Sequence, residues 1–496
     1  MKKRNGSRSF HRLAASIAVA CGLAAAGQAG AVHLDPRGSG QVLLYPYYTV
    51  NKGQQTYVTV LNVSNRTKMA DVKFREGYNG RTVMDFKLFL APFDTWTGTV
   101  FALEDIAGEG SEGAAILTAD RSCTAPSFWT EGHGMLGGAP YARFSSNNFV
   151  DDGGPAGIAR TREGHIEIIA MADLTGSLAA AVELRSGVPV DCSRVRGLAY
   201  GTEEALVPTG GLVGSGAVIN VGQGTYFSYR ADALADFTKR PLLTGLGELE
   251  FLDHANDGPG ANVATARVPV DGQWVEAPYR LQESIDAVSA VLMADSLFNE
   301  YVVQAAIGAN SDWVVTFPTK RFYTDLSVMS GTVAIAPFIE LFGENGSCVT
   351  TRVRYLDRES QTVADSGFPG APPIPTRPRL CHVTNVLAFL GDTNAEESAV
   401  LGSRLVAQGF ALDRAFSAGW ARLDLNPEEQ PHAMRASTSI GGAGSSGKVF
   451  HGLPAIGFWA TNLVNNNVAD GVMSNYSAAL SHGSSVSCSA GTSACN

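Results

Sequence analysis

The chain has 496 residues and a formal net charge of −10 at pH 7, and 45% of its residues are hydrophobic. This apolar fraction is ample for a core, while 55 glycines and 22 prolines are too few and too unperiodic for a collagen-like or disordered chain. The acidic balance argues against a nucleic-acid partner, which would need a basic stripe.

The N-terminus has the order of features of a secretory signal peptide. A basic segment from Lys2 to Arg12 precedes a short apolar run, Leu13 to Ala26, and Ala29-Gly30-Ala31 follows as a small-x-small cleavage site. The run is too short to span a membrane, and no other apolar run of the sequence is long enough. We therefore expect residues 1–31 to be a signal peptide and the protein to be exported to the periplasm, the cell surface or the medium. The alternative is a lipoprotein signal ending at Cys21.

The cysteine count predicts disulfide bonds. Seven cysteines become six when the leader is removed, and an even number in an exported chain favours pairing. Six cysteines allow about fifteen pairings, of which we adopt the sequential one: Cys123–Cys192, Cys348–Cys381 and Cys488–Cys495. Unpaired buried thiols are the alternative. A zinc site is not indicated, because no Cys-x-x-Cys or Cys-x-x-His spacing occurs.

A hairpin is the clearest element of the strand-rich segment that follows the leader. In Val72-Lys73-Phe74-Arg75 and in Met84-Asp85-Phe86-Lys87-Leu88, apolar and charged residues alternate. Period two is typical of a strand with one buried face and one solvated face. Asn79-Gly80 lies between the two runs and tolerates the positive φ angles of a type I′ turn. We therefore predict strands over Asp71–Glu76 and Thr82–Leu90.

One helix interrupts the strands and long loops of the rest of the chain. Ile285, Val288 and Leu292, and then Phe298–Val302, recur at helical spacing. This pattern predicts a helix near 284–303.

Together these elements predict an all-β protein with minor α structure. We expect two β-sandwich domains of immunoglobulin-like or jelly-roll type, with long loops and one helix. The first sandwich, with its loop excursions, is predicted over 32–330 and the second β-rich domain over 331–480. A Ser-rich tail over 481–496 is expected to be held only by its disulfide.

Two loops combine the oxygen-bearing side chains that calcium prefers. The candidate ligands are Asp253, Asn256 and Asp257 in one loop and Asp151 and Asp152 in the other. Neither loop has the twelve-residue EF-hand pattern, and Asn, Asp and Gly are also ordinary turn residues. We therefore expect no cofactor, with calcium as the alternative.

No sequence motif identifies a catalytic residue. The Gly-x-Ser-x-Gly elbow of α/β-hydrolases and the His-Glu-x-x-His motif of zinc hydrolases do not occur. A site assembled from distant loops would leave no such motif.

Four aromatic residues on or beside predicted strands are candidates for a binding surface: Tyr47, Tyr57, Trp96 and Trp313. Flat exposed aromatic rings stack on sugar rings or pack against partner proteins. Sandwich cores use the same residue types, so a core position is the competing interpretation, and we prefer it.

Several stretches resemble a family of exported β-rich proteins of Gram-negative bacteria with no known activity. The similarity lies in Gln41-Val-Leu-Leu-Tyr-Pro-Tyr-Tyr-Thr-Val50, in Asp312-Trp-Val-Val-Thr-Phe-Pro-Thr-Lys320, and in Gly452-Leu-Pro-Ala-Ile-Gly-Phe-Trp459 with Asn475-Tyr476. The resemblance implies a surface or periplasmic protein and brings no catalytic residue with it.

A non-enzymatic cell-envelope or extracellular protein, structural or partner-binding, fits these observations best. Its partner would be a protein or a glycan at the cell surface. The alternatives are a secreted hydrolase that acts on polysaccharide and a self-associating component of a surface layer.

Overall fold

Four large sheets carry the architecture of this all-β protein with minor α structure. Strands are numbered β1–β35 and helices α1–α5 in chain order. The computed structural model describes residues 30–106, 110–149, 151–198, 202–243, 251–329, 331–361, 377–391, 398–412, 416–438, 447–465 and 468–495.

The first half of the chain forms two antiparallel sheets. Sheet A contains, in order across the sheet, β1 (His33–Leu34), β17 (Asp232–Ala235), β2 (Val42–Thr49), β11 (Glu163–Leu174), β4 (Thr67–Glu76), β5 (Thr82–Leu90) and β8 (Cys123–Ala125), with β14 (Ala205–Leu206) also paired to β11. Sheet B contains β16 (Thr225–Arg230), β15 (Leu212–Asn220), β3 (Gln54–Asn62), β6 (Thr95–Ala102), β7 (Ala114–Leu117), β10 (Ala139–Arg143) and β9 (Gly134–Leu136).

The second half forms two further sheets. Sheet C contains β27 (Val406–Ala411), β26 (Thr384–Leu390), β22 (Ala309–Thr316), β31 (Ile456–Leu463) and β32 (Tyr476–Ser481). Sheet D contains β24 (Arg352–Asp357), β28 (Ala418–Asp424), β21 (Ser296–Val302) and β33 (Gly483–Ser485).

Short pairings and helices complete the fold. The small sheets are β12 (Leu184–Arg185) with β13 (Val188–Pro189), β18 (Val263–Val270) with β19 (Gln273–Arg280), β20 (Met293–Ala294) with β30 (Leu453–Pro454), β23 (Val349–Thr350) with β25 (Arg379–Leu380), and β29 (Lys448–His451) with β34 (Ser487–Ala490) and β35 (Ser493–Ala494). The helices are α1 (Phe128–Glu131), α2 (Gly176–Val182), α3 (Ser193–Arg196), α4 (Ser284–Leu292) and α5 (Arg321–Thr324). Short 3-10 helices span Asn51–Gly53, Leu103–Asp105, Asn147–Phe149, Ile158–Arg162, Phe251–Asp253, Leu281–Glu283 and Ala305–Ile307.

Sheets A and B pack face to face as a β-sandwich. Val72 and Phe74 of β4 and Ile168 of β11 belong to the same buried cluster as Val58 and Val60 of β3. Along β3, buried residues alternate with half-buried ones, as expected for a strand with one face in a core.

The two halves of the chain share their cores. Strand pairing places β21 and β22 in sheets D and C, together with strands that lie beyond residue 331. The second group of sheets therefore begins before residue 330, where we had expected the domain boundary. Phe458 of sheet C stacks on Tyr229 of sheet B with ring centroids 4.8 Å apart, inside the core of the first sandwich.

The predicted helix near 284–303 is correct only in its first part. Helix α4 ends at Leu292, and strand β21 follows at Ser296. In β21, Leu297 and Tyr301 are buried whereas Phe298 and Glu300 are exposed. The apolar residues of 296–302 therefore follow period two rather than the helical period.

The C-terminal tail is held by strands as well as by its disulfide, contrary to our expectation. Strand β33 pairs with β21 in sheet D, and β34 pairs with β29. All three disulfides predicted by sequential pairing are present: Cys123–Cys192, Cys348–Cys381 and Cys488–Cys495.

The predicted hairpin is present as β4 and β5, but its turn is not of type I′. Gly80 has a φ of 75°, whereas Asn79 does not adopt the left-handed conformation that a type I′ turn requires. The carboxylate of Glu76 instead organises a longer turn. It accepts hydrogen bonds from the backbone N–H groups of Tyr78 at 2.7 Å, Asn79 at 3.0 Å and Arg81 at 2.8 Å.

The face of this hairpin that we expected to be solvated is buried. Every residue of β4 is buried, and the charges on its second face are paired within β4 and with the neighbouring strands. Lys87 Nζ lies 2.5 Å from Asp71 Oδ1, and Lys73 Nζ lies 3.6 Å from Asp71 Oδ2. Arg75 Nε lies 2.6 Å from Glu167 Oε2. The pairing of opposite charges lets a charged face lie inside the protein.

Substitution of Arg160 tests how strongly the buried charges hold the fold. Arg160 is buried and donates to Glu76 at 2.8 and 3.0 Å and to Asp152 at 3.0 Å. Arg160→Met would leave two buried carboxylates without their cation, and we expect it to lower the free energy of unfolding by about 3–5 kcal/mol. Chemical denaturation measures this change.

Arg185→Met is the matched control for that experiment. Arg185 forms an exposed ion pair with Glu183 at 3.9 Å, and exposed pairs contribute little to stability. Equal losses in the two variants would contradict a structural role for the Arg160 pairs.

Candidate binding sites

A polar pocket opens where the β4–β5 turn, the loop that begins at Asp151, and the turn after α5 meet. Its volume is about 330 Å³. Its polar wall is formed by Asn79, Arg81, Asp151, Asp152, Asp325 and Ser327. Leu326 and Phe342 form an apolar wall.

Asn79 and Arg81 bridge the acidic residues of this pocket. Asn79 Nδ2 donates to Asp325 at 3.0 Å and to Asp152 at 3.4 Å. Arg81 binds Asp325 through Nη2 at 2.8 Å and Nε at 2.7 Å. The backbone N–H and the hydroxyl of Ser327 each donate to Asp325 at 2.9 Å. Asp325 is therefore held on three sides.

Asp152 is held in its ionised form. Burial alone would raise the pKa of its carboxyl group, but hydrogen bonds from Arg160 and the Gly154 N–H, together with the charges of Arg160 and Arg81, lower that pKa overall. A general acid in a glycosidase needs a raised pKa. Asp152 therefore does not have the electrostatics of that role.

Of the calcium candidates, Asp151 and Asp152 reach this pocket. The guanidinium of Arg81 lies beside both Asp325 and Asp152, with Nε 2.7 Å and 4.0 Å away. It therefore occupies the position between these carboxylates that a metal ion would need. Across the described ranges, no cluster of three or more His, Cys, Asp or Glu side chains has an arrangement that could hold a metal ion.

The other calcium candidates form a hydrogen-bonded turn. Asn256 has a φ of 54°, and its amide binds the carbonyl oxygens of Gly30 and Asp236 at 2.9 Å and the N–H of Thr265 at 2.6 Å. Asp257 pairs with Arg240 and His254, and the carbonyl oxygen of Asp253 accepts from Ser284. Turn chemistry accounts for the composition of this loop.

Three of the four aromatic candidates lie in the core. Tyr47, Trp96 and Trp313 are fully buried, so their rings are not available to a surface partner. Tyr47 donates to Glu163 at 2.8 Å, and Trp313 Nε1 donates to the Glu300 carbonyl at 2.9 Å. Tyr57 lies half-buried on the outer face of sheet B.

An open surface with exposed aromatic rings lies on the outer face of sheet D. Strand register places Arg354, Arg422 and Phe298 side by side across β24, β28 and β21. The adjacent row on the same face contains Leu356, Trp420 and Glu300. Phe298 and Trp420 are each 44% exposed. We call these six residues the sheet D platform.

The two arginines of the platform have no ion-pair partner in the described parts of the chain. They are directly opposite each other in the register of β24 and β28, an arrangement of like charges that costs free energy. Arg352, at one end of the same face, is instead paired with Glu429. The platform therefore presents two adjacent guanidinium groups to solvent.

Sequence reasoning missed both the platform and most of the pocket. The helix predicted near 284–303 includes Phe298 and Glu300, and the alternation in Trp420-Ala-Arg422-Leu has the period of a strand. That alternation was the available signal, since a large aromatic residue on the polar side of a strand indicates an exposed ring. Asn79 and Asp325 carry no such signal, because folding brings them together from distant segments.

A buried lysine, Lys320, immediately precedes helix α5. Lys320 is 1% exposed, and its Nζ donates to the carbonyl oxygens of Leu380 at 3.3 Å and His382 at 3.2 Å. Burial lowers the pKa of Lys320 to about 7, although the charge of Glu340 opposes the shift. The rings of Phe317 and Phe338 enclose the ammonium, with centroids 5.5 and 5.4 Å from Nζ.

No protein-family model, curated protein or solved structure matches this chain. Within the described ranges, helices of the length and hydrophobicity needed to cross a membrane do not occur. Three disulfides are typical of proteins in an oxidising environment.

Substitution of Lys320 is expected to change how stability depends on pH. The lysine titrates near pH 7 in the folded protein and near 10.5 when unfolded, so the unfolded state binds more protons between these values. Wild-type stability relative to Lys320→Met should therefore rise as the pH increases from about 7 to about 9. Urea denaturation at both pH values measures the difference.

A difference in stability that does not change with pH would contradict the lowered pKa. It would mean that the ammonium keeps its proton in the folded protein. Lys448→Met, at a half-exposed lysine of strand β29, provides the matched control, and its stability difference should not rise over this range.

Proposed function

We propose that this chain is an exported, non-enzymatic binding protein of the cell envelope or extracellular space, and that its sheet D platform binds an acidic polysaccharide. The observation that carries the proposal is the pair of unpartnered arginines, Arg354 and Arg422, beside the exposed rings of Phe298 and Trp420. Export is supported by the signal-peptide pattern and is in keeping with the three disulfides.

The platform has the chemistry that an acidic sugar chain requires. Indole and phenyl rings pack against the apolar faces of pyranose rings. Guanidinium groups bind carboxylates through two parallel hydrogen bonds. Glu300, next to Trp420, supplies an acceptor for sugar hydroxyl groups. Since neighbouring strands are about 4.8 Å apart, each row across three strands is about 10 Å long and suits an extended chain.

Charge complementarity favours an anionic ligand over a neutral one. The whole chain is acidic, with a net charge of −10, so its overall field repels a polyanion. Binding must therefore come from a local cationic feature, and the two arginines provide it. Such binding weakens with added salt, because screening acts on exposed charges.

The direct test is binding of polygalacturonate to the full chain, compared with highly methyl-esterified pectin as the uncharged counterpart. We expect the wild-type protein to prefer the charged polymer. Trp420→Ala and the double variant Arg354→Gln/Arg422→Gln should each weaken binding by about tenfold or more. Isothermal titration calorimetry measures the affinities.

Trp274→Ala is the matched control. Trp274 lies on strand β19, outside the platform, and is 50% exposed. Its ring centroid is 4.5 Å from the guanidinium carbon of Arg267. It should leave binding unchanged. Equal binding by all variants, or equal binding of the charged and esterified polymers, would contradict the proposal. Release of new reducing ends from the polymer would instead assign the hydrolase alternative.

A further inference from the structure

We infer that the polar pocket beside Asn79 is a second binding site, and that it takes a primary ammonium group carried on an apolar stem. This site differs from the sheet D platform in charge and position, so the inference does not depend on the polysaccharide proposal. It rests on three features of the pocket: its net charge, an unused buried acceptor, and an apolar wall.

The pocket is lined by more carboxylates than cations. Asp151, Asp152 and Asp325 face a single lining cation, Arg81. Behind this wall, Arg160 pairs with both Glu76 and Asp152. A cationic ligand is therefore favoured over an anionic one.

Two acceptors among the lining side chains have no hydrogen-bond donor in the described residues. The carboxylates of Asp152 and Asp325 are occupied by Arg160, Arg81 and Ser327. The carboxylate of Asp151 is exposed and has no hydrogen-bond or ion-pair partner in the described residues.

The second available acceptor is buried. Asn79 is only 1% exposed, and its Nδ2 is fixed by two carboxylates, which also fixes the orientation of the amide. Its Oδ1 has no hydrogen-bond donor. A buried acceptor without a donor costs free energy, and a ligand N–H at this position would remove that cost.

An organic ammonium fits this arrangement better than a metal ion. The guanidinium of Arg81 already lies beside Asp325 and Asp152, and no cluster of metal ligands occurs in the described ranges. An ammonium has three donors, enough to serve both Asn79 Oδ1 and the Asp151 carboxylate. Leu326 and the ring of Phe342 can cover an alkyl stem, and a ring face also attracts a cation.

The volume of about 330 Å³ accommodates such a ligand. The ammonium could belong to a free diamine or to a lysine side chain of a peptide. Cadaverine and Nα-acetyl-lysine amide represent these two sources, and 1,5-pentanediol is the uncharged counterpart of cadaverine. Tighter binding of cadaverine indicates a free diamine, whereas equal or tighter binding of the lysine amide indicates a peptide side chain.

The test is isothermal titration calorimetry of the full chain with these three compounds at constant ionic strength. We expect both amines to bind and the diol not to bind. Asp151→Asn should weaken amine binding by about tenfold. Asp151 has a φ of 63°, which asparagine tolerates, so this variant keeps the loop conformation.

Asp271→Asn is the matched control, because Asp271 also has a positive φ, 49°, and lies in the turn between β18 and β19 away from the pocket. It makes the same charge change and should not alter binding. Leu326→Lys, at an exposed position on the rim, places a tethered ammonium beside the pocket and should also weaken amine binding.

Failure of both amines to bind the wild-type protein at about 10 mM would overturn the inference. Equal weakening by Asp151→Asn and Asp271→Asn would also overturn it, since binding would then reflect the overall acidic charge. Unchanged thermal unfolding of each variant shows that a loss of binding does not come from a loss of folding.

Discussion

The buried carboxylate of Glu76 fixes the part of the molecule on which both the fold and the pocket depend. It accepts three backbone N–H groups of the β4–β5 turn and pairs with Arg160 through two hydrogen bonds. Arg160 in turn holds Asp152. One carboxylate therefore positions the turn that presents Asn79 and Arg81, and one guanidinium positions the opposite wall. A substitution of Glu76 or Arg160 should therefore disturb both the β4–β5 strands and the pocket, because the buried pair contacts both.

Sheet A shows why burial of charge and specificity of structure go together in this protein. One face of the sheet packs on sheet B, and the other carries Asp71, Lys73 and Arg75. Asp71 pairs with Lys73 and with Lys87 of β5, and Arg75 pairs with Glu167 of β11. A shift of one residue in the register would send these charges into the hydrophobic core. The charged face of sheet A thus strongly disfavours incorrect strand registers. In the correct register, its buried ion pairs add little net stability.

Apart from the three disulfides, the features predicted correctly from the sequence depend on local pattern, and the features that were missed depend on distant contacts. Alternation in Val72–Arg75 located the strand, but alternation reports a chemical difference between faces and not their exposure. The charged face is buried because later segments cover it. The segment Phe298–Val302 is so short that its apolar residues fit both the helical and the strand period. It forms a strand because it pairs with β28. The pocket joins residues 79, 151 and 325, whose proximity no local pattern encodes.

The ionisable groups with the most strongly shifted pKa values lie apart from the surfaces for which we propose binding. Proton transfer needs a group with a pKa near the working pH at a place that substrate can reach. Burial raises the pKa of Asp312 to about 6 and lowers that of Lys320 to about 7, but both side chains are enclosed by protein. In the pocket, Asp152 has a lowered pKa and is held by Arg160. Asp312 and Lys320 thus lie inside the protein, whereas Asp232, whose pKa burial raises to about 6, is half-buried on strand β17. The sheet D platform instead presents charged and aromatic side chains, and the proposed recognition of a polysaccharide needs no proton exchange with the ligand.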